Sequence, residues 1–191
     1  MYFFLRDASQ KFRFFSSEPP ARIPVQFSKP REIWEAAKKK LMLLPARVLR
    51  QEQAFMRVRK IEDETISIHH SGLRPEKRVR LRFSLFLVKQ RSKHILILIG
   101  EALLLPLSGL AALLPGPNVA FAALALLMIT HWRALQGINR LFRKRLDFTV
   151  APLFADWEAA SDRGQVDRCL QILKRIESEY RLFQINKILC K

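Results

Sequence analysis

Hydrophobic and polar positions divide this chain into basic, amphipathic segments around one long apolar run. Residues 95–130 hold a single formal charge, Glu101. A membrane-crossing helix needs about 20 mainly apolar residues at roughly 1.5 Å each, and residues 95–114 have that length. Pro115, Gly116, Pro117 and Asn118 then interrupt the run, because proline removes a backbone donor and glycine favours a turn. The pattern predicts a helical hairpin over residues 94–138, with Pro115, Gly116, Pro117 and Asn118 as its turn. The second arm, residues 119–130, reaches only about 18 Å against a hydrocarbon core of about 30 Å. Full crossing and deep entry into one leaflet are both open to it.

Before the run, Ile33, Trp34, Ala37, Leu41 and Leu44 recur at helical spacing, and Pro45 ends or kinks that helix. Val48, Leu49, Phe55, Met56 and Val58, interleaved with Arg47, Arg50, Arg57, Arg59 and Lys60, suit a helix lying on a membrane surface or an ordinary packing unit. Residues 65–69 alternate as a short strand that Ser71 and Gly72 end. Residues 78–88 satisfy both periods: Val79, Leu81, Phe83, Leu85 and Leu87 alternate, while Val79, Phe83, Phe86 and Leu87 fall on a helical face. Continuity into the apolar run favours helix. After it, Pro152 is placed to open a helix, Gly164 separates it from a second, and Val166, Cys169, Leu170, Leu173, Ile176, Tyr180 and Phe183 form one apolar stripe.

These elements give a mainly α protein: a membrane helical hairpin with a basic, mostly helical N-terminal region and a small C-terminal helical unit. The divisions fall at residues 1–30 (an extended or disordered arm rich in proline), 31–93 (basic, mostly helical, with one short strand), 94–138 (the hairpin) and 139–191 (a small soluble helical unit). The opening residues have the aromatic, basic and serine content of a weak organellar presequence and no secretory signal.

Charge adds an orientation. There are 34 Lys and Arg against 17 Asp and Glu, a formal net charge of +17. The cations crowd against both ends of the run, with Lys89, Arg91 and Lys93 before it and Arg133, Arg140, Arg143, Lys144 and Arg145 after it. Basic flanks stay on the cytoplasmic or matrix side, so both termini share that side of a mitochondrial or bacterial inner membrane. The same residues suit anionic lipid headgroups. No zinc-finger spacing, aromatic RNA-binding strand or heptad zipper accompanies them, so nucleic acid is not an expected partner.

The chemistry available is sparse. Cys169 and Cys190 lack a CxxC or histidine neighbour, and His69 and His70 lack further ligands, so neither a metal nor another cofactor is expected. No nucleophile elbow, phosphate-binding loop, dinucleotide fingerprint or HExxH motif points to an enzyme. Within the apolar run Glu101 is the one carboxylate able to couple ion and proton binding; its other reading is an interfacial residue. His94 and His131 flank the two arms on one side, where they would approach each other at the hairpin base as pH-sensing or interfacial groups.

Pro106, Leu107, Leu114, Pro115, Pro117 and Asn118, followed by the exit motif Trp132, Ala134, Leu135 and Gly137, resemble the membrane signature of the mitochondrial potassium–proton exchange-related family. His94 also falls where that family places a histidine, while residues 119–129 hold fewer aromatics than its pattern. The resemblance implies an inner-membrane protein connected with monovalent-cation/proton exchange. One carboxylate without a paired Asp or Lys is thin for a complete ion pathway, so the expectation is a subunit or regulator, with other membrane-protein subunits or further copies of itself as partners. The alternative is a membrane-shaping or scaffolding hairpin without transport.

Overall fold

The computed structural model describes residues 1–17, 46–110, 119–182 and 185–190. Its centre is a sheet that the sequence pattern did not predict. Strands β1 (Tyr2–Arg6) and β2 (Phe12–Ser16) form an antiparallel hairpin with Phe4 opposite Phe14. Strand β3 (Thr65–His70) pairs parallel to β1, and β4 (Arg145–Val150) pairs parallel to β3, giving the order β2-β1-β3-β4. The arm expected over residues 1–30 is thus corrected for its first part, because residues 2–16 are two strands of the sheet. Adjacent aromatic residues explain it. In a strand, neighbours point to opposite faces, so Phe3 and Leu5 enter one core while Phe4 enters the other. Residues 18–45, including the helix expected from Ile33 to Leu44, lie outside the described residues.

Helices cover both faces. Helix α1 (Ala46–Val58), the 35-residue α2 (Glu76–Leu110) and α3 (Val119–Arg143) pack against Phe4, Phe14, Ile66, Ile68 and Phe148. Helix α4 (Pro152–Asp162), α5 (Val166–Glu179) and the short α6 (Asn186–Leu189) pack against Phe3, Leu5 and Phe15. The C-terminal helices therefore share a core with the N-terminal hairpin, and residues 145–150, expected to lie in a helical unit, form β4, the edge strand beside β3. Pro152 opens α4 as expected, and Gly164, at φ 68°, makes the break before α5.

Residues 78–88 are helical. Val79, Phe83 and Leu87 are buried at four-residue spacing, and Leu81 and Leu85, 62% and 61% exposed, are not. The helix period prevails because this segment runs without interruption into the apolar arm. Helices α2 and α3 pack antiparallel: Phe83 of α2 meets Phe148, just beyond the C-terminal end of α3, while Glu101 of α2 reaches His131 of α3. The turn expected at Pro115, Gly116, Pro117 and Asn118 lies outside the described residues, as does Leu114.

Among the described residues no helix is long and apolar enough to cross a membrane. The full-crossing form of the expected hairpin is corrected: its two arms are the distal parts of two longer helices. Their basic stems, carrying Lys89, Arg91 and Lys93 on α2 and Arg133, Arg140 and Arg143 on α3, are continuous with the arms and belong to the sheet-packed body.

Candidate functional site

Helix α2 changes character at His94. Along the stem it buries Val79, Phe83 and Leu87 and exposes its cations together with Leu81, Leu85 and Val88. Past Lys93 the same buried face continues at seven-residue spacing as His94 and Glu101, 0% and 7% exposed, while Leu96, Ile99, Leu103 and Leu104 stand 69%, 53%, 69% and 52% exposed on the outside. The described part of the arm thus turns its polar groups inward and presents an exposed apolar surface.

The hidden polar groups are joined. Nδ1 of His94 lies 2.8 Å from the Gln90 carbonyl oxygen, and its Nε2 lies 2.5 Å from Oε2 of Glu52 on α1. A carbonyl only accepts, so Nδ1 carries a hydrogen and donates it. Nε2 and Oε2 lie within hydrogen-bond distance of each other. On the other side, Nδ1 of His131 lies 2.7 Å from Oε1 of Glu101, a second imidazole–carboxylate pair. The two imidazoles face each other edge to face, with ring centroids 5.8 Å apart. Glu52, His94, His131 and Glu101 form one line of titratable groups across three helices, and the second carboxylate oxygen of Glu101 is buried with no hydrogen-bond partner among the described residues.

The line depends on how closely α1 approaches α3. Ala134 and Gly137 are buried on α3, one turn apart, beneath Ala54, Phe55 and Val58 of α1. At Gly137 there is no room for a side chain against the Phe55 backbone. That approach brings Glu52 to His94. The residues read as an exit motif therefore divide by role: Ala134, Leu135 and Gly137 pack, and Trp132, 54% exposed, stands at the outer surface where the apolar arm meets the basic stem.

The sequence brought forward His94, His131 and Glu101, and the structure brings those three together. It missed Glu52. The signal available was a carboxylate flanked by Gln51 and Gln53 inside an arginine-rich helix, and all three of these residues are buried. The flanking cations are dispersed. Lys89, Arg91 and Lys93 lie exposed on α2, Arg133 and Arg143 lie exposed on α3, Arg145 opens β4, and Arg140 and Lys144 donate to the backbone carbonyls of Arg59 and Glu62 at 2.7 and 3.2 Å. Among the described residues no cluster of three or more His, Cys, Asp or Glu is arranged to hold a metal ion.

No curated protein and no solved structure matches the chain. A family model does, over residues 21–144, a stretch that contains Glu52, His94, Glu101 and His131 together with all of α1, α2 and α3 and the strand β3. The chain belongs to the family described as mitochondrial K+-H+ exchange-related.

Proposed function

We propose that this protein is a non-enzymatic subunit or regulator of monovalent-cation (potassium)/proton exchange, seated in the mitochondrial inner membrane by the distal arms of α2 and α3, with both termini on the matrix side. The observation that carries the reading is the line Glu52–His94···His131–Glu101, held behind an apolar exterior. Two imidazole–carboxylate pairs supply side chains of the kind that take up and release protons. Glu101 stands at the distal end, and its second oxygen, buried without a partner among the described residues, is the candidate acceptor for a proton or a monovalent cation. The arms enter the apolar phase, that of α2 with Leu96, Leu103 and Leu104 outward, and the lysines and arginines of the stems remain at the headgroups.

The test is potassium-driven proton flux in mitochondria whose own copy is replaced by Glu101→Gln or Glu52→Gln at equal protein level. Each variant is expected to lower the flux at least about tenfold, as loss of a positioned proton carrier does. Unchanged flux in both leaves the membrane-shaping reading in place. Extraction of the protein by alkaline carbonate would refute the membrane seat itself.

A further inference from the structure

A second feature lies on the stem, away from the imidazole line. The tip of the β1–β2 hairpin and one side of α2 enclose an open cleft of about 510 Å³. Lys11 and Arg13 line it from the hairpin, and Arg82, Lys89 and Lys93 line it from the helix. The three helical cations recur at seven- and four-residue spacing, which stacks them along one side of α2. No carboxylate lines the cleft among the described residues; the nearest acidic partner is Asp7, which engages Arg13 from behind at 2.8 Å. With Arg13 compensated by Asp7, four further positive groups, Lys11, Arg82, Lys89 and Lys93, converge on one concavity. They repel one another when it is vacant of counter-charge, so the cleft is arranged for an anion.

The surroundings narrow the anion further. Lys93, at the upper end of the cleft, stands one helical turn below Leu96, and the exposed Leu96, Ile99 and Leu103 continue upward on the neighbouring side of the same helix. Leu85, 61% exposed, lies within the cleft wall. A charged recess that opens at once onto an exposed apolar stripe matches a molecule with a phosphate head and hydrocarbon tails. The other basic depression, about 750 Å³ near Arg143, Lys144 and Arg145, lacks this match: Glu64 lines it, and two of its cations are spent on backbone carbonyls.

We propose that the cleft between the β1–β2 hairpin and α2 is a phospholipid site, in which Lys11, Arg82, Lys89 and Lys93 hold a lipid phosphate while the acyl chains lie along Leu96, Ile99 and Leu103. This deepens the membrane seat argued above and is independent of the proton chemistry, so loss of flux in the Glu101 variant leaves it untouched.

The experiment compares flotation of the full chain with vesicles of phosphatidylcholine alone and of phosphatidylcholine mixed with diphosphatidylglycerol. The triple variant Arg82→Gln, Lys89→Gln, Lys93→Gln is expected to lose about a hundredfold in affinity for the anionic vesicles, at about fivefold per cation. The charge-matched control Arg143→Gln, Lys144→Gln, Arg145→Gln is expected to lose less than tenfold, and Arg82→Lys, Lys89→Arg, Lys93→Arg to retain binding. Equal losses in the triple variant and the control would mean diffuse attraction without a site and overturn the proposal. Calorimetry with inorganic pyrophosphate separates the sources. Tight pyrophosphate binding that the triple variant abolishes, with vesicle binding intact in that variant, assigns the cleft to a soluble phosphate and also overturns it. All three side chains are exposed; should the triple variant not fold, the single reversal Lys89→Glu carries the same comparison.

Discussion

Gly137 of α3 rests directly on the backbone of Phe55 in α1, so closely that a β-carbon there would lie 1.8 Å from the Phe55 carbonyl oxygen. The obstacle is main chain inside a packed helix and cannot rotate aside. Gly137→Ala must therefore push α1 away from α3, at a cost of about 3 kcal/mol, near the upper end for overpacking. Thermal unfolding in detergent should show a lowered midpoint. Gly100→Ala on α2 is the control: a β-carbon at Gly100 meets nothing within 4 Å, and the change should leave stability unchanged or raise it by up to about 1 kcal/mol. Because Glu52 reaches His94 only through this approach, Gly137→Ala is also expected to lower flux without touching a titratable group.

That contact separates what was legible in the sequence from what was not. The meeting of His94 and His131 follows from two helices folding back on each other, a local consequence of one apolar run and its break. Glu52 reaches the same place by a crossing of α1 over α3, and nothing in the spacing of either helix states where they cross. The sheet was hidden for a related reason. Residues 2–6 and 12–16 are short, aromatic and followed by prolines, and β1 finds its parallel partner β3 more than 60 residues away. Strand β3 was legible because its alternation is bounded by Ser71 and Gly72. In α2 the alternating and helical readings of residues 78–88 compete in the same side chains, and only continuity with the arm decides between them.

Phe3 and Phe4 test whether the first 17 residues are part of the folded body. Phe3 packs against Phe154 at 5.4 Å in the core beneath α4 and α5; Phe4 packs against Phe83 at 4.9 Å in the core beneath α1, α2 and α3. Both are buried, at 0% and 2% exposure. Phe3→Ala and Phe4→Ala should each destabilise by about 3–5 kcal/mol, although they are neighbours that touch different helices. A dispensable arm would tolerate both with no change in unfolding midpoint.

Asp7 fixes the turn between β1 and β2. Its side chain is fully buried; Oδ1 accepts the Lys11 backbone N–H at 2.9 Å and Oδ2 accepts Arg13 Nε–H at 2.8 Å. The next residue, Ala8, donates its N–H to the Leu189 carbonyl at 2.7 Å and ties the turn to α6. Asp7→Ala removes both acceptors and leaves Arg13, still 21% exposed, without this partner. A loss of about 2–3 kcal/mol is expected, with Asp7→Asn losing less because the amide oxygen still accepts one bond. Hydrogen exchange localised to residues 7–13 checks the assignment, since a global change with these amides unaltered would contradict it.

His70 gives the fold an acid-sensitive point outside the imidazole line. Its Nδ1 accepts the Gly72 backbone N–H at 3.1 Å, and its ring lies against Phe148 at 6.4 Å. An accepting Nδ1 has no proton, and burial disfavours the charged ring, so the His70 pKa is lowered from the ordinary 6.5, with Glu76 opposing only in part. The sign follows from proton uptake: between the unfolded value and the lowered folded one, the unfolded chain binds more protons, so stability rises with pH. The contribution is complete above about pH 6.5 and is lost as pH falls from there through the folded pKa. His69 shifts in the same direction, chiefly by burial and then by the N-terminal ammonium and His70, and adds to the effect. Melting midpoints measured from about pH 7.5 down to about pH 5 should fall in the parent chain. They should fall less in His70→Gln, whose amide oxygen still accepts from Gly72 and does not titrate. A slope identical in the two proteins would place the acid sensitivity elsewhere.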